Sequence, residues 1–329
     1  MKTVAFYQPF MNERGTCVAM FDYAHYNQTL LHNKSVFIYD SKDSRNESKG
    51  LQRIKDNFET YDISCANYNN DNPVERIKKI DEALEKSGAK YIYMCKSGYN
   101  DGIIPTRAKV LVHIMGMVDP VHKHGDVWAY VSYFSNNACS GGKEVVLPYM
   151  VSLPDTKEDI RSELNIPTDA IVIGRHGGQD TFDIPWAKQV IANVLNQKEN
   201  IYFLFLNTPV FIQHNRVLFL DSIVDPVLKT KFINSCDAML HARDIGETFG
   251  MACAEFSFKN KPVMTYANSP ERNHIDILGN KGLYYNSPES LFNLFLNFKK
   301  NDRMDWNCYG EYTPEKIMNI FNEKFLNNG

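Results

Sequence analysis

Residues Asp237–Tyr266 read DAMLHARDIGETFGMACAEFSFKNKPVMTY. Four segments separate within this stretch. DAMLHA is a short apolar strand, RDIGETFG a polar loop bearing glycine, MACAEFSF a helix, and KNKPVMTY the lead into a second strand. Strand, loop, helix, strand is the repeating unit of a parallel sheet with crossover helices. In such sheets ligands bind outside the carboxyl ends of the strands, so chemistry is expected in RDIGETFG.

The helix is expected to start near Thr248–Gly250, where its first backbone N–H groups have no partner within the helix. That end is an anion site, and Gly250 lets a phosphate approach the backbone. Glu247 stands just before it. Glu255 lies about five residues inside, roughly 7.5 Å further along the axis. One carboxylate reaches a group on each side of a bound phosphate. A diphosphate carrying a sugar at one end and a ribose at the other fits, because carboxylates accept hydrogen bonds from paired hydroxyls. Spacing alone is a weak signal: Glu315 and Glu323 repeat it on the last helix, where a solvated face explains them. The strand–loop–helix–strand context carries the argument.

The same alternation runs through the chain. Lys2–Tyr7, Ser35–Tyr39, Tyr91–Cys95, Val110–Ile114 and Val127–Tyr133 are strand-like, and Cys17–Leu31 and Pro73–Lys86 have helical spacing. Ser41–Asn70 is polar and shows no clear pattern. Val145–Thr156 (VVLPYMVSLPDT) carries two prolines and is expected to be a linker. The pattern then restarts with strands at Ala170–Gly174, Ile201–Leu206, Val217–Leu220, Ala238–His241 and Pro262–Tyr266. Helices are expected at Pro185–Leu195, Pro226–Asn234, Gly250–Phe258, Pro288–Phe298 and Pro314–Leu326. Two doubly wound α/β halves result: residues 1–148, residues 149–310, and a closing segment, 311–329, expected to cross back to the first half. A cleft between them is the expected site. Residues just after strands line it: Glu13–Thr16, His113, Arg175–Gly178 and Asp244–Gly250.

Composition narrows the function. With 36 Lys and Arg against 39 Asp and Glu, the net charge of −3 leaves no basic face for a nucleic acid. No apolar run approaches the roughly 18 residues of a membrane span. The seven cysteines are odd in number, without a C-x-x-C, so reduced thiols and a cytoplasmic location are expected. No D-x-D occurs, and His122 with His124 finds no further ligand at recognisable spacing, so no metal is expected. The absence of G-x-G-x-x-G after any strand disfavours a nicotinamide oxidoreductase.

From Arg175 to about Phe298 the sequence resembles the donor half of retaining GT-B glycosyltransferases of family four. IVIGRHGG resembles the family's strand and Gly-Arg turn, and VLFLDSIVDPVLKTKFINSCDAML its base-contacting strand and loop, short helix and next strand. GETFGMACAE resembles the two-glutamate motif, KPVMTY the following strand, and KGLYYNSPESL the closing Gly-Leu, Pro and helix. The likeness covers most of residues 145–300; the first half is similar in architecture only.

The resemblance implies a GT-B fold of two Rossmann-like domains and a set of roles. Glu247 would contact the transferred sugar and Glu255 the nucleotide ribose. Thr248, Phe249 and Gly250 would offer backbone contacts to phosphate, and Arg175 would neutralise the departing diphosphate. Leu220 and Val224 fall in the base-contacting loop. His113, ending the KVLVH strand, would lie near the transferred sugar, although a buried core histidine fits the same pattern. Arg14 and Gly15, in NERGT, would line the acceptor side. The family's lysine a few residues after the arginine is missing; His176, Gln179 and the Gly177 and Gly178 amides are the candidates to replace it.

The implied activity is transfer of a sugar from a nucleotide diphosphate sugar to the hydroxyl of a glycan or other acceptor, with retention, no metal and no cofactor. Two rivals remain: a sugar-nucleotide epimerase of similar architecture, and a non-catalytic nucleotide-sugar-binding module.

Overall fold

The computed structural model describes residues 1–12, 15–65, 73–300 and 304–327. The chain divides into two compact units, Met1–Met150 with Tyr312–Gly329, and Val151–Glu311. No helix among the described residues is long and apolar enough to cross a membrane.

The first unit runs β1 (Thr3–Tyr7), α1 (Gly15–Thr29), β2 (Lys34–Tyr39), α2 (Ser48–Asn57), β3 (Glu59–Asp62), α3 (Pro73–Ser87), β4 (Tyr91–Lys96), β5 (Lys109–Ile114), β6 (Val127–Tyr130), α4 (Tyr133–Ser140) and β7 (Val145–Val146). Its strands form one parallel sheet in the order β3-β2-β1-β4-β5-β6-β7. The central strands are buried along most of their length, as an apolar run covered on both faces requires.

The second unit runs β8 (Ile171–Arg175), α5 (Pro185–Leu195), β9 (Ile201–Leu206), β10 (Val217–Leu220), α6 (Pro226–Ser235), β11 (Ala238–His241), β12 (Gly246–Glu247), α7 (Met251–Phe258), β13 (Val263–Tyr266), β14 (Glu271–Arg272), α8 (Asn273–Leu278), β15 (Leu283–Tyr285) and α9 (Pro288–Asn297). The main sheet is parallel, ordered β10-β9-β8-β11-β13-β15, and β12 pairs with β14 beside it. The winding reverses between β8 and β11, which places a ligand-binding crevice outside their carboxyl ends.

Several elements lie where the sequence shows little pattern. Within Ser41–Asn70, α2 buries only Gly50 and Ile54, and β3 is a polar edge strand, so neither carries an apolar signal. β6 ends at Tyr130, three residues short of the expected strand. Ser132 then caps α4 by accepting from the Ser135 N–H, and Gly141 ends that helix at φ +65°. Val145–Val146, inside the expected linker, pairs with β6 as an edge strand.

The last helix, α10 (Pro314–Phe321), packs within the first unit. The Phe321 ring lies 5.5 Å from Tyr23 of α1 and 6.2 Å from Tyr93 of β4, and Phe325 lies 5.7 Å from Tyr91. Lys2 donates its ammonium to the Leu326 carbonyl, tying the two ends of the chain together.

One glycine sets how closely the second unit packs at its switch point. A Cβ on Gly174 of β8 would run into the Cys236 sulfur and the Phe256 ring. Gly174→Ala is therefore expected to lose about 1–3 kcal/mol of stability by overpacking, measured by urea unfolding. Adding Cys236→Ala should recover part of that loss; strictly additive losses would show that this contact is not the cause.

Candidate functional site

The loops after β8 and β11 meet α7 at this switch point. Helix α7 opens at Gly250, whose φ of +90° suits glycine and which offers no side-chain cap. A Cβ there would press on His274 and Glu247. The Phe249 side chain is buried and its carbonyl accepts from Asn273 Nδ2 at 3.0 Å. What Phe249 and Gly250 offer here is therefore backbone, at the positive end of a helix.

Glu255 lies inside α7 and is 4% exposed. Its Oε1 is ion-paired with Lys229 of α6. Its Oε2 lies 3.0 Å from His176 Nε2, an ion-pair distance without hydrogen-bond alignment. The His176 ring stacks on Phe256 at 5.6 Å. Burial works to raise the Glu255 pKa; Lys229, then His176, outweigh it and hold the carboxyl at about 2.

Glu247 is less enclosed, with 21% of its side chain exposed. His241 Nε2 approaches Oε1 at 3.3 Å, and Arg243 Nη1 lies 2.9 Å from Oε2. Burial again works to raise the pKa, and the hydrogen bond from His241, with the charge of Arg243, brings it to about 2. The β12–β14 ladder fixes the backbone here: Gly246, at φ +82°, lies so close to the Glu271 carbonyl that no Cβ would fit.

Arg175 ends β8 and is 2% exposed. Its Nη2 donates to the Gly178 carbonyl and Thr181 Oγ1, both at 2.7 Å, and its Nη1 to Thr208 Oγ1. Asn207 Nδ2 also donates to the Gly177 carbonyl at 3.0 Å. The arginine thus braces the glycine loop from behind. Burial lowers its pKa to about 10, opposed by Glu247, Asp180 and Asp183, so it stays cationic at neutral pH.

Leu220 and Val224 are half-buried on either side of the loop that leads into α6. His113 and Gly15 belong to the first unit. His113 is 0% exposed, its Nδ1 2.5 Å from the Tyr93 hydroxyl, among the rings of Tyr23, Tyr93 and Tyr149. Burial lowers its pKa to about 3, so it is neutral. Gly15 is exposed at the start of α1. Arg14 lies outside the described residues.

The structure therefore gathers Glu247, Glu255, His176, Gly250 and the Gly177–Gly178 loop at one switch point. Residues absent from the sequence-based set join them: Lys229, His241 and Arg243 in direct contact with the two carboxylates, and Thr265 and His274 behind. The strand-end rule comes within one residue of Arg243, since it points to Asp244–Gly250. Lys229 had no comparable signal, because its helix approaches Glu255 from another part of the chain.

No family model and no curated protein matches this chain. Solved structures do. A glycosyltransferase from Rickettsia africae ESF-5 aligns over 100% of this chain and 99% of its own, with TM-score 0.72 and 14% identity. Anabaena HepE, in complex with UDP and glucose, aligns over 99% of this chain and 96% of its own, with TM-score 0.66 and 13% identity. A putative UDP-N-acetylglucosamine 2-epimerase from Listeria monocytogenes aligns over 98% of this chain and 97% of its own, with TM-score 0.62 and 9% identity. At these identities the likeness shows the fold, which is GT-B with two Rossmann-like domains.

The depressed carboxyls link the site to stability. Each folds with a pKa of about 2 against an ordinary value of 4.5. A lowered carboxyl pKa stabilises the fold fully above the unfolded value, and that contribution is lost as pH falls from about 4.5 through about 2. Urea unfolding across this window should show a steep loss for the natural sequence and a shallower one for Glu255→Gln. Equal slopes would show that Glu255 is not held ionised by Lys229 and His176.

Proposed function

We propose that the protein transfers a hexosyl or deoxyhexosyl group from a nucleotide diphosphate sugar to an acceptor hydroxyl, without a metal ion or cofactor and with retention. The observation that carries this reading is the pair of ionised carboxylates flanking an uncapped helix start at the switch point of a parallel sheet. HepE, of the same fold, is in complex with UDP and glucose, which supports a uridine nucleotide as the first donor to test.

In this mechanism the diphosphate lies against the Thr248–Gly250 amides. Glu255 accepts from the ribose hydroxyls, which compete with Lys229 and His176 for its oxygens. Lys229 then supplies the positive charge that a lysine after Arg175 supplies in the resembling family. Arg175 holds the Gly177–Gly178 loop in place and adds its charge from behind. Leu220 and Val224 flank the base. Glu247 orients the sugar hydroxyls with the lone pairs that His241 and Arg243 leave open.

The bond between the anomeric carbon and the phosphate oxygen breaks, and its electron pair leaves with the diphosphate. The acceptor oxygen bonds to the anomeric carbon on the same face, and its proton passes to the departing diphosphate. Positive charge beside that group lowers the barrier as donors in an oxyanion hole do, about 2.7–4 kcal/mol for one donor. Arg14 and Gly15 are assigned to the acceptor side. The burial of His113 among aromatic rings supports a core role for it.

A second reading is favoured by one contact. Glu247 beside His241 is a carboxylate–imidazole pair able to move a proton, as a sugar-nucleotide epimerase requires. Solvent deuterium appearing in the sugar while the nucleotide sugar stays whole would select it over transfer. UDP binding without either outcome would select a non-catalytic binding module.

The two glutamates should separate in the test. Glu255→Gln should weaken UDP binding in calorimetry by about 10- to 100-fold, the worth of a charge-assisted hydrogen bond of roughly 1.5–3 kcal/mol. Glu247→Gln should leave UDP affinity nearly unchanged and lower kcat and kcat/KM for UDP-glucose together. The reverse pattern would mean that the donor lies the other way round; no effect of either change would remove both residues from the site.

A further inference from the structure

Behind Glu247 lies a chain of side chains that the transfer mechanism leaves unused. His241 Nε2 is 3.3 Å from Glu247 Oε1, His241 Nδ1 is 2.8 Å from Thr265 Oγ1, and Thr265 Oγ1 is 3.0 Å from His274 Nε2. The two imidazole rings are 4.7 Å apart. Thr265 and His274 are fully buried and His241 nearly so. The chain ends at His274 Nδ1, a buried nitrogen with no hydrogen-bond partner among the described residues.

Both rings are taken as neutral. Were His241 to donate from Nδ1 to Thr265, the hydroxyl would turn to His274 Nε2 and leave a buried N–H on His274 Nδ1 with no acceptor among the described residues. The arrangement that avoids this orphaned donor has a single solution. The Glu247 carboxylate only accepts, so His241 Nε2 donates to it. His241 Nδ1 then carries a lone pair and accepts from the Thr265 hydroxyl. That hydroxyl has spent its one proton, so its oxygen accepts from His274 Nε2–H. His274 Nδ1 is left as a lone pair facing no donor. Burial keeps His274 from charging, its pKa lying well below the ordinary histidine value. Every donor in the row points toward Glu247.

We propose that His241, Thr265 and His274 form a one-way hydrogen-bond relay that fixes the Glu247 carboxylate for the transferred sugar, with Thr265 and His274 as positioning residues. The inference rests on the transfer reading for what Glu247 does, but the relay itself does not depend on that reading. A glutamate side chain has three rotatable bonds. A carboxylate that orients a reacting sugar has to be held within about 0.5 Å of its productive place. Arg243 restrains one oxygen from the exposed side. The relay restrains the other from the core.

The test compares Thr265→Val, which keeps the shape and deletes the hydroxyl, with Thr265→Ser, which keeps the hydroxyl. Thr265→Val should lower kcat for UDP-glucose turnover by about tenfold or more, with UDP affinity held within about twofold, and Thr265→Ser should restore most of the rate. Equal rates for Thr265→Val and the natural sequence would overturn the proposal. So would equal losses in both variants. Nitrogen-15 NMR of the unaltered protein gives a reading that needs neither turnover nor a variant: at neutral pH both His241 and His274 should be neutral and carry their proton on Nε2. An Nδ1–H form at either residue would overturn the relay. If the protein consumes no nucleotide sugar, the transfer reading fails, while the tautomers still decide whether the relay exists.

Discussion

Two carboxylates ionised in a largely enclosed place constrain the whole second unit. An isolated buried carboxylate is so costly that it takes up a proton instead. Here Glu255 meets Lys229 and His176, and Glu247 meets His241 and Arg243. Those partners arrive on α6, on the loop after β8, and on and just after β11. Removing one partner of a buried pair costs about 3–5 kcal/mol, because the other charge stays behind. The site can form only when these elements have docked, and once docked they hold one another in place through it.

The apolar frame makes this docking possible. β8 and β9 are buried along almost their whole length, and β11 pairs directly with β8. Gly174 removes the side chain that would push Cys236 and Phe256 off the sheet. The close approach brings α6 and α7 against the sheet, and Lys229 and Glu255 face each other as a result. Arg175 does similar work, spending its guanidinium on the Gly178 carbonyl and Thr181 hydroxyl of the loop beside His176 and on the Thr208 hydroxyl after β9.

Much of the fold was legible because parallel sheets are written in unbroken apolar runs. IYFLFL at Ile201–Leu206 and the alternating strands and helices of both halves needed no tertiary information. The elements that escaped are those without such runs. The polar edge strand β3 alternates weakly, and α4 draws its stability from a serine cap and a glycine stop. At the site, GETFGMACAE announced a helix start between two acids because strand, glycine and helix signals coincide there. Nothing comparable marked Thr265, an ordinary member of the strand expected at Pro262–Tyr266, or His274, which lay in no expected element.

The sequence by itself determined the two α/β halves, the helix start at Gly250 and the two acids bracketing it, since all of these depend on residues near one another in the chain. The tertiary structure alone decided which partners meet Glu255. Lys229 is 26 residues from Glu255, and His176 is 79 residues from it. Their meeting depends on strand order and on how closely helices pack against the sheet, and local patterns carry neither. Burial followed the same rule: His113 and Arg175 end strands in the sequence, but only packing showed one enclosed by aromatic rings and the other turned back onto its own loop.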